Sequence, residues 1–206
     1  LEGVTIKHPS SVFIDAQAVL SPDVVIEPFT IIKGQTVIQE GAVIGPYTTL
    51  EDYVCGKGCR IENSVARQAV IGEACQIGPY AYLRPGTVLA HGVKVGDFVE
   101  IKNSKIDEGS KVPHLSYIGD SIVGKKVNIG AGTITCNYDG EKKHRTIIGD
   151  NSFVGSNTNF VAPVQIGQNA VIGAGSTITK DVPDGALAVE RSQQKIIENW
   201  QATRKK

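Results

Sequence analysis

The stretch VFIDAQAVLSPDVVIEPFTIIKGQTVIQEGAVIGPYTTL, residues 12–50, contains an aliphatic residue at every sixth position. These residues are Ile14, Leu20, Ile26, Ile32, Ile38, Ile44 and Leu50. Two positions before each of them stands a small or β-branched residue, and in an extended segment residues two apart point to the same side. Each six-residue unit therefore presents one large and one small side chain to a common interior.

The same spacing returns from Ile71 to Ile101 and from Ile148 to Ile178. Glycine often follows the aliphatic residue, as at Gly72 and Gly155, and this favours a corner with unusual backbone dihedrals. A period of six fits an α-helix poorly, whereas a short strand plus a corner builds a polygonal coil. Coils of this kind stack into a parallel β-helix. We therefore predict an all-β fold that resembles the left-handed hexapeptide-repeat β-helix, with about ten coils and a height of ~45 Å.

The predicted β-helix covers residues 1–180, and residues 181–206 form a C-terminal extension that packs on it or on a neighbouring subunit. A short helix in this extension is expected to carry Ile196, Ile197 and Trp200 on one side. The 21 basic and 21 acidic residues cancel, which gives no charge argument for nucleic acid or membrane binding. With neither a membrane-spanning run nor a secretory signal, the chain is expected to be cytoplasmic. It contains no methionine, which suggests a part of a longer protein.

The six-residue rhythm changes phase in three segments: 51–70, 102–122 and 136–147. The first contains Cys55 and Cys59, whose C-x3-C spacing is a weak metal motif, so degenerate repeats are the favoured interpretation. Cys75 falls on a small inward position and is expected to serve packing. Because the cytosol is reducing, all four cysteines are expected to be free thiols.

The other two phase changes carry the candidate chemistry. Segment 102–122 contains SKVPHLSYIGD, and we expect this break to lift His114 out of the coil behind a rigid proline. A lone histidine at such spacing is more often structural than catalytic. In segment 136–147, Asn-Tyr-Asp-Gly is a turn signal followed by a basic cluster, which predicts an outward loop. Whether this loop is only solvated surface or contacts a ligand stays open on the residues alone.

Six strings taken in order point to one family. They are IGPYAYLRPGT (77–87), GDFVEIKNSKI (96–106), SKVPHLSYIGD (110–120), NIGAGTITCNYDG (128–140), RTIIGDNSFVGSNTNFVAPV (145–164) and GALAVERSQQ (185–194). Together they resemble the C-terminal acetyltransferase domain of the bacterial bifunctional enzymes that make UDP-N-acetylglucosamine, a cell-wall precursor. The resemblance implies acetyl-CoA-dependent N-acetylation of glucosamine-1-phosphate.

The resemblance also implies the roles of individual residues. His114 matches the general base that takes a proton from the sugar amine during direct acetyl transfer, and imidazole suits this role at neutral pH. On the sugar phosphate side it implies Arg84 and Lys102 for the phosphate, Tyr117 and Asn128 for the sugar, and Lys143 as a further substrate contact. On the acetyl-CoA side it implies contacts from Ala131, Asn137, Tyr138, Ser156, Ala174 and Arg191.

Members of this family are homotrimers with active sites between neighbouring subunits, and their acetyltransferase domain needs no metal. Nothing in the chain matches the family's uridylyltransferase domain with its Mg²⁺ site, so we expect acetylation without uridylylation. Three alternatives remain: a zinc-dependent carbonic anhydrase on the same scaffold, a non-catalytic scaffold, and an acetyltransferase for another acceptor. The first is disfavoured because no two of the histidines at 8, 91, 114 and 144 are five residues apart.

Overall fold

The computed structural model describes residues 2–203, which form a three-sided parallel β-helix. Very short strands alternate with corners, and each strand pairs in parallel with the equivalent strand of the coil below and above. Within residues 2–203 the three sides are sheets of 11, 10 and 9 strands, and helical structure is nearly absent. The predicted fold, the left-handed β-helix of hexapeptide repeats, is confirmed.

The strands are grouped here by the face of the prism on which they lie. The first face contains Thr5–Ile6, Val25–Ile26, Val43–Ile44, Arg60–Ile61, Gln76–Ile77, Lys94–Asp97, Lys111–His114, Asn128–Ile129, Phe153–Val154, Val171–Ile172 and Leu187–Ala188. The second face contains Phe13–Ile14, Ile31–Lys33, Thr49–Glu51, Val65–Arg67, Tyr82–Leu83, Glu100–Lys102, Tyr117–Gly119, Ile134–Cys136, Asn159–Val161 and Thr177–Ile178. The third face contains Val19–Leu20, Val37–Ile38, Val54–Cys55, Val70–Ile71, Val88–Leu89, Lys105–Ile106, Ser121–Val123, Thr146–Ile148 and Val164–Ile166. A 3₁₀-helix at Pro9–Ser11 and an α-helix at Trp200–Thr203 complete the elements.

The core is built from the two inward positions of each repeat. The large position is filled by aliphatic side chains such as Ile26, Leu50 and Ile101, all of them buried. The small position often holds a hydroxyl residue, and the Thr30 Oγ1 donates a hydrogen bond to the carbonyl three residues earlier, at 2.8 Å. The same bond recurs at Thr36 and at other small positions. A buried hydroxyl is tolerated because it finds this partner, and the bond closes the preceding corner.

The predicted interruption at 102–122 is wrong. Val112 and Ile118 are buried six residues apart, and His114 ends the strand Lys111–His114 instead of leaving the coil. The phase changes only because two repeats are one residue short, from Ile101 to Ile106 and from Ile118 to Val123. Segment 51–70 has the same cause, as the degenerate-repeat interpretation predicted, because Cys55, Ile61, Ala66 and Ile71 all remain inward.

The reason proposed for the glycine after the aliphatic residue is also wrong at most positions. Gly155 has no left-handed dihedral, but a Cβ there would overlap the Ala174 backbone of the next coil. Gly130 is restricted by the coil above it in the same way. Glycine is therefore required here by the close approach of stacked coils, as overlap with backbone has no cheap relief.

Left-handed dihedrals occur within the corners on all three edges, and one unbroken row of them follows the edge between the first and second faces. We call this row of residues the corner line; its members are Phe29, Tyr47, Asn63, Tyr80, Phe98, Leu115, Gly132, Asn157 and Gly175, all at positive φ. Backbone hydrogen bonds join the row from coil to coil, as where the Gly132 N–H donates to the Leu115 carbonyl. Below Gly132 the row is mostly large and apolar, and from Gly132 upward it is small or polar.

Two segments depart from the plain prism. Residues 137–144 form an outward hairpin, as predicted, closed by an antiparallel bridge between Tyr138 and Lys143 and by two N–H groups bonded to the Asp139 carboxylate. At the C-terminus, the paired strand Leu187–Ala188 carries the β-helix past residue 180. The helix expected in the extension spans only Trp200–Thr203, so Ile196 and Ile197 precede it.

Cys55, Cys59 and Cys75 are buried free thiols inside the prism, which confirms the packing position predicted for Cys75. The Cys59 and Cys75 thiols donate to the carbonyls of Gly72 and Ala90 at 3.0 Å. Hydrogen bonding to Cys59 and burial both raise the pKa of Cys75. A thiol with a raised pKa is a poor nucleophile, so Cys75 acts as a core side chain.

Candidate active site

His114 lies at the end of a first-face strand, directly before the corner line. Its register partner on the coil below is Asp97, and the Asp97 Oδ1 is 2.6 Å from the His114 Nδ1. The hydrogen bond with His114 lowers the pKa of Asp97, which keeps this carboxylate ionised at neutral pH. More than half of the His114 side chain is exposed, so the ring is accessible to a substrate.

Around the corner, the second face carries Arg84 and Lys102 on consecutive coils. Arg84 Nη1 donates to Glu100 Oε1 at 2.7 Å, and this hydrogen bond raises the pKa of Arg84. Both cations follow inward-facing core residues and lie outside the core, and the Lys102 side chain is only 20% exposed. Tyr117 lies directly above Glu100 in the register. The guanidinium keeps unused donors for an anionic ligand.

Asp120 connects this cationic surface to the hairpin. It is buried, and it accepts hydrogen bonds from the side-chain amides of Asn103 and Asn137. Burial opposes the ionisation of Asp120. The hydrogen bonds from these two side-chain amides and the charges of Lys102 and Lys143 outweigh the effect of burial and lower the pKa of Asp120. Asn137 also reaches the Tyr117 hydroxyl, at 3.4 Å. Asp120 therefore fixes the groups around Lys102.

The hairpin brings a second ammonium group to Lys102. The close approach of the Lys102 ammonium, whose like charge disfavours a second cation, lowers the pKa of Lys143. Lys102 also lies 3.8 Å from Asp120 Oδ2, so two lysines share one nearby carboxylate. The cluster carries an excess of positive charge, and a dianionic group such as a phosphate ester would relieve this repulsion.

Small residues continue upward from His114 along the same edge. In register with His114 on successive coils lie Ala131, Ser156 and Ala174. The flanking glycines of these coils stack so closely that no side chain fits between them. Arg191 ends the row, where its Nη1 donates to the Ala174 carbonyl at 2.7 Å. The result is an open, shallow track along the surface that runs from His114 to the Arg191 guanidinium.

The predicted site residues thus fall into two groups around one edge. Arg84, Lys102, Tyr117, Asn137 and Lys143 cluster on the second face and the hairpin, whereas His114, Ala131, Ser156, Ala174 and Arg191 follow the edge. Asn128 lies on the first face, one coil above Lys111. Tyr138 is exposed and donates its hydroxyl to Gly140 within the hairpin. The structure does not bring Asn128 and Tyr138 into either group.

Sequence reasoning missed four polar residues: Asp97, Glu100, Asn103 and Asp120. Their signal was present as spacing, because short coils place residues 17 apart in register. Asp97 precedes His114 by 17 residues, and Asn103, Asp120 and Asn137 follow one another at the same interval. A six-residue template applied without the two short repeats hides these pairs.

In the described range 2–203, no helix is long and apolar enough to cross a membrane. Over the same residues, no group of three or more His, Cys, Asp and Glu side chains is arranged to hold a metal ion.

The chain matches two family models. One is described as the GMPPB C-terminal domain and matches residues 8–106 and 65–160, which together are more than half of the chain. The other, described as the bacterial transferase hexapeptide (six repeats), matches residues 145–180.

Similar proteins are known from several organisms. A bifunctional protein GlmU of Desulfitobacterium hafniense is 67% identical over 205 residues, which cover 100% of this chain and 45% of that protein. A bifunctional protein GlmU of Heliobacterium modesticaldum is 63% identical over 198 residues, covering 96% of this chain and 43% of its own. The chain therefore spans less than half the length of these relatives. A solved UDP-N-acetylglucosamine acyltransferase of Francisella novicida has a TM-score of 0.54 at 21% identity, covering 90% of this chain and 67% of its own, and this likeness concerns the fold alone.

Proposed function

This chain belongs to the hexapeptide-repeat family represented by the GMPPB C-terminal domain, and on that premise we propose that it transfers the acetyl group of acetyl-CoA to the amine of glucosamine-1-phosphate. The similarity to bifunctional GlmU proteins along the whole chain supports this assignment. One structural observation carries it. An exposed histidine, bonded to a carboxylate through Nδ1, lies where the track of small residues meets the cationic second face.

In the proposed reaction, His114 acts as the general base. Its Nε2 takes a proton from the sugar amine while the nitrogen attacks the thioester carbonyl, and the CoA thiolate leaves as the new amide bond forms. Transfer is direct, so no acyl-cysteine intermediate is needed. The buried thiols of Cys55, Cys59 and Cys75 are consistent with this, since they lie inside the prism.

The second-face cluster would bind the sugar phosphate. Arg84 offers a guanidinium fork and Lys102 and Lys143 offer point charges, which together suit a phosphate dianion. Tyr117, whose hydroxyl lies 3.4 Å from the Asn137 side-chain amide, would then lie beside the sugar ring. Asn128 on the first face is proposed as a further sugar contact.

Acetyl-CoA would lie along the small-residue track. Ala131, Ser156 and Ala174 leave room for the pantetheine arm, and Arg191 would meet the phosphates at the upper end. Asn137 and Tyr138 of the hairpin are proposed as additional contacts to the cofactor. This domain would need no metal, because a base, cations and a reactive thioester suffice.

The decisive assay is thiol release from acetyl-CoA in the presence of glucosamine-1-phosphate. We expect His114→Ala to lower kcat by about 10²–10⁴-fold, the usual contribution of a general base, with the fold intact by circular dichroism. His91→Ala on the neighbouring coil is the matched control and should leave the rate unchanged. Equal activity of wild type and His114→Ala would contradict the proposed mechanism.

Arg84→Ala tests the phosphate subsite separately. Loss of a charged hydrogen bond costs about 1.5–3 kcal/mol, so KM for glucosamine-1-phosphate should rise by roughly tenfold to hundredfold. KM for acetyl-CoA should hardly change. If KM for the sugar phosphate does not rise, Arg84 is not part of that subsite.

We further propose a homotrimer in which neighbouring prisms share the site, since the corner line exposes Phe29, Tyr47, Tyr80, Phe98 and Leu115 in one row. Such a straight apolar row suits contact with another straight prism. Tyr80→Asn combined with Phe98→Asn should dissociate the trimer, as measured by light scattering. Asparagine accepts the left-handed backbone of these positions, so the fold should persist. Val70→Asp on the third face is the control, and dissociation by this variant alone would place the interface elsewhere.

A further inference from the structure

The pair formed by Asp97 and His114 has a geometry that only one protonation pattern of the ring satisfies. An ionised carboxylate can only accept hydrogen bonds. At 2.6 Å from Asp97 Oδ1, the His114 Nδ1 must therefore carry the hydrogen, and in the neutral ring Nε2 keeps its lone pair. The pair thus selects which nitrogen can act as a base.

The backbone holds both partners in place. The two residues are register partners on stacked coils, and the Leu115 N–H donates to the Asp97 carbonyl at 2.9 Å. Gly96 lies against Pro113 so closely that any Cβ at residue 96 would overlap the proline carbonyl. The carboxylate and the ring are therefore positioned by the stacked strands and not by a mobile loop.

A second pair in the chain shows that this arrangement is not the same for every histidine. His144 lies 2.6 Å from Asp139, but through Nε2, and the two residues belong to one exposed hairpin. In that pair the nitrogen left without the carboxylate is Nδ1. Of these two pairs, the one at His114 is therefore the one in which the carboxylate leaves Nε2 available.

We propose that Asp97 is a positioning residue that holds His114 as the Nδ1–H tautomer and stabilises the imidazolium formed when Nε2 takes a proton. The catalytic consequence rests on the proposed function, whereas the tautomer assignment does not. The arrangement is similar in principle to the acid–histidine part of a serine hydrolase triad, in which the carboxylate orients the ring without being protonated.

The test combines a spectroscopic and a kinetic readout on the full chain. Long-range ¹H–¹⁵N correlation spectra of ¹⁵N-labelled protein, at a pH where the ring is neutral, report the tautomer of His114, with His114→Gln to assign its signals. We expect wild type to show the Nδ1–H form and Asp97→Ala to show substantial Nε2–H form. In Asp97→Asn, which keeps the size of the side chain, kcat should fall by about tenfold or more, but less than in His114→Ala. KM for both substrates should stay within about twofold.

Asp107→Asn is the matched control, because it makes the same chemical change on a partly exposed carboxylate that follows a third-face strand and contacts Lys105, and it should behave as wild type. An unchanged tautomer in Asp97→Ala would overturn the proposal, even if the rate falls, since the loss would then be structural. A wild-type kcat in Asp97→Asn would also overturn the positioning role. If the tautomer shifts while His114→Ala retains full activity, the positioning stands and the proposed function fails.

Discussion

The lower and upper halves of the corner line have the same backbone and opposite side chains. In the lower half, Phe29 stacks on Tyr47 with ring centroids 4.9 Å apart, and Tyr80 stacks on Phe98 at 5.3 Å. In the upper half the equivalent positions are Gly132, Asn157 and Gly175. His114 lies at the boundary, one residue before Leu115, the last large apolar residue of the row.

This difference shows that the repeat fixes the backbone conformation along the corner line but allows very different side chains there. Every position of the corner line has positive φ, a conformation that costs a non-glycine residue free energy. The aromatic residues below accept this cost, and their stacked faces give a ridge suited to another protein surface. The glycines above avoid it and leave open space. One edge of one solenoid thus carries two different surfaces, a row of large apolar side chains below and a row of small or polar residues above.

The largest expected effect concerns the core, which should be equivalent in the two halves. Leu83 below and Ile129 above are both fully buried, so Leu83→Ala and Ile129→Ala should each lower the free energy of unfolding by about 2–5 kcal/mol. Urea unfolding at neutral pH measures both. A cost below 1 kcal/mol in only one half would show that the halves do not share a uniform core.

The next effect tests the upper track. Ser156→Trp adds bulk in the open track, and steric overlap with the cofactor of about 1–3 kcal/mol would raise KM for acetyl-CoA by roughly tenfold to hundredfold. KM for glucosamine-1-phosphate should be much less affected. Gln76→Trp, at an outward first-face position of the lower half, is the control and should leave both constants unchanged. An unchanged KM for acetyl-CoA in Ser156→Trp would remove the track from the cofactor site.

The next effect concerns the boundary between the halves, where Asp120 lies on the same coil as His114 and Leu115. Because the pKa of Asp120 is lowered in the folded chain, its stabilising effect is complete above the unfolded value of about 3.9 and is lost as pH falls through the folded value. Asp120→Asn should cost about 1–3 kcal/mol at pH 7, and the difference from wild type should shrink below about pH 4. Urea unfolding at pH 7, 5 and 3 measures this trend. A difference that stays constant with pH would mean that the charge of Asp120 contributes nothing.

The smallest effect is expected from an ion pair of the lower half. Lys57 lies 3.1 Å from Glu40, closer than Lys102 lies to Asp120, but both side chains are more than half exposed. Lys57→Ala should therefore change the free energy of unfolding by less than about 0.5 kcal/mol, and added salt should reduce the change further. A loss above 1 kcal/mol would show that exposure is a poor guide to the strength of these pairs.

The prism could be predicted from the sequence because its rule is local. A buried aliphatic residue every six positions and a small residue two before it are read directly from the chain, and both were found where predicted. The coil length could not be read in the same way. A repeat of five residues, as from Ile118 to Val123, keeps the inward pattern. It nevertheless moves every later inward position one residue earlier than a strict six-residue spacing predicts.

The site was harder to predict because its contacts join different coils. The pairing of Asp97 with His114 depends on the exact register of two strands, and the six-residue template gave the wrong register there. The break assigned to His114 was wrong for the same reason, since a shortened coil and a loop give the same phase change in sequence. Family resemblance supplied the roles proposed for Arg84, Lys102 and the hairpin, and these roles remain predictions.

The regular stacking of coils also fixes the distances between residues along the upper half of this edge. His114 and Ala174 are separated by three coil steps, or ~14 Å at a strand spacing of ~4.8 Å. The reach from the proposed base to Arg191 therefore changes only in whole steps, when a coil is gained or lost. An acyl donor would therefore be selected by the length of the arm that carries the acyl group as well as by the acyl group itself. A donor whose arm is one coil step too short could not reach both His114 and Arg191.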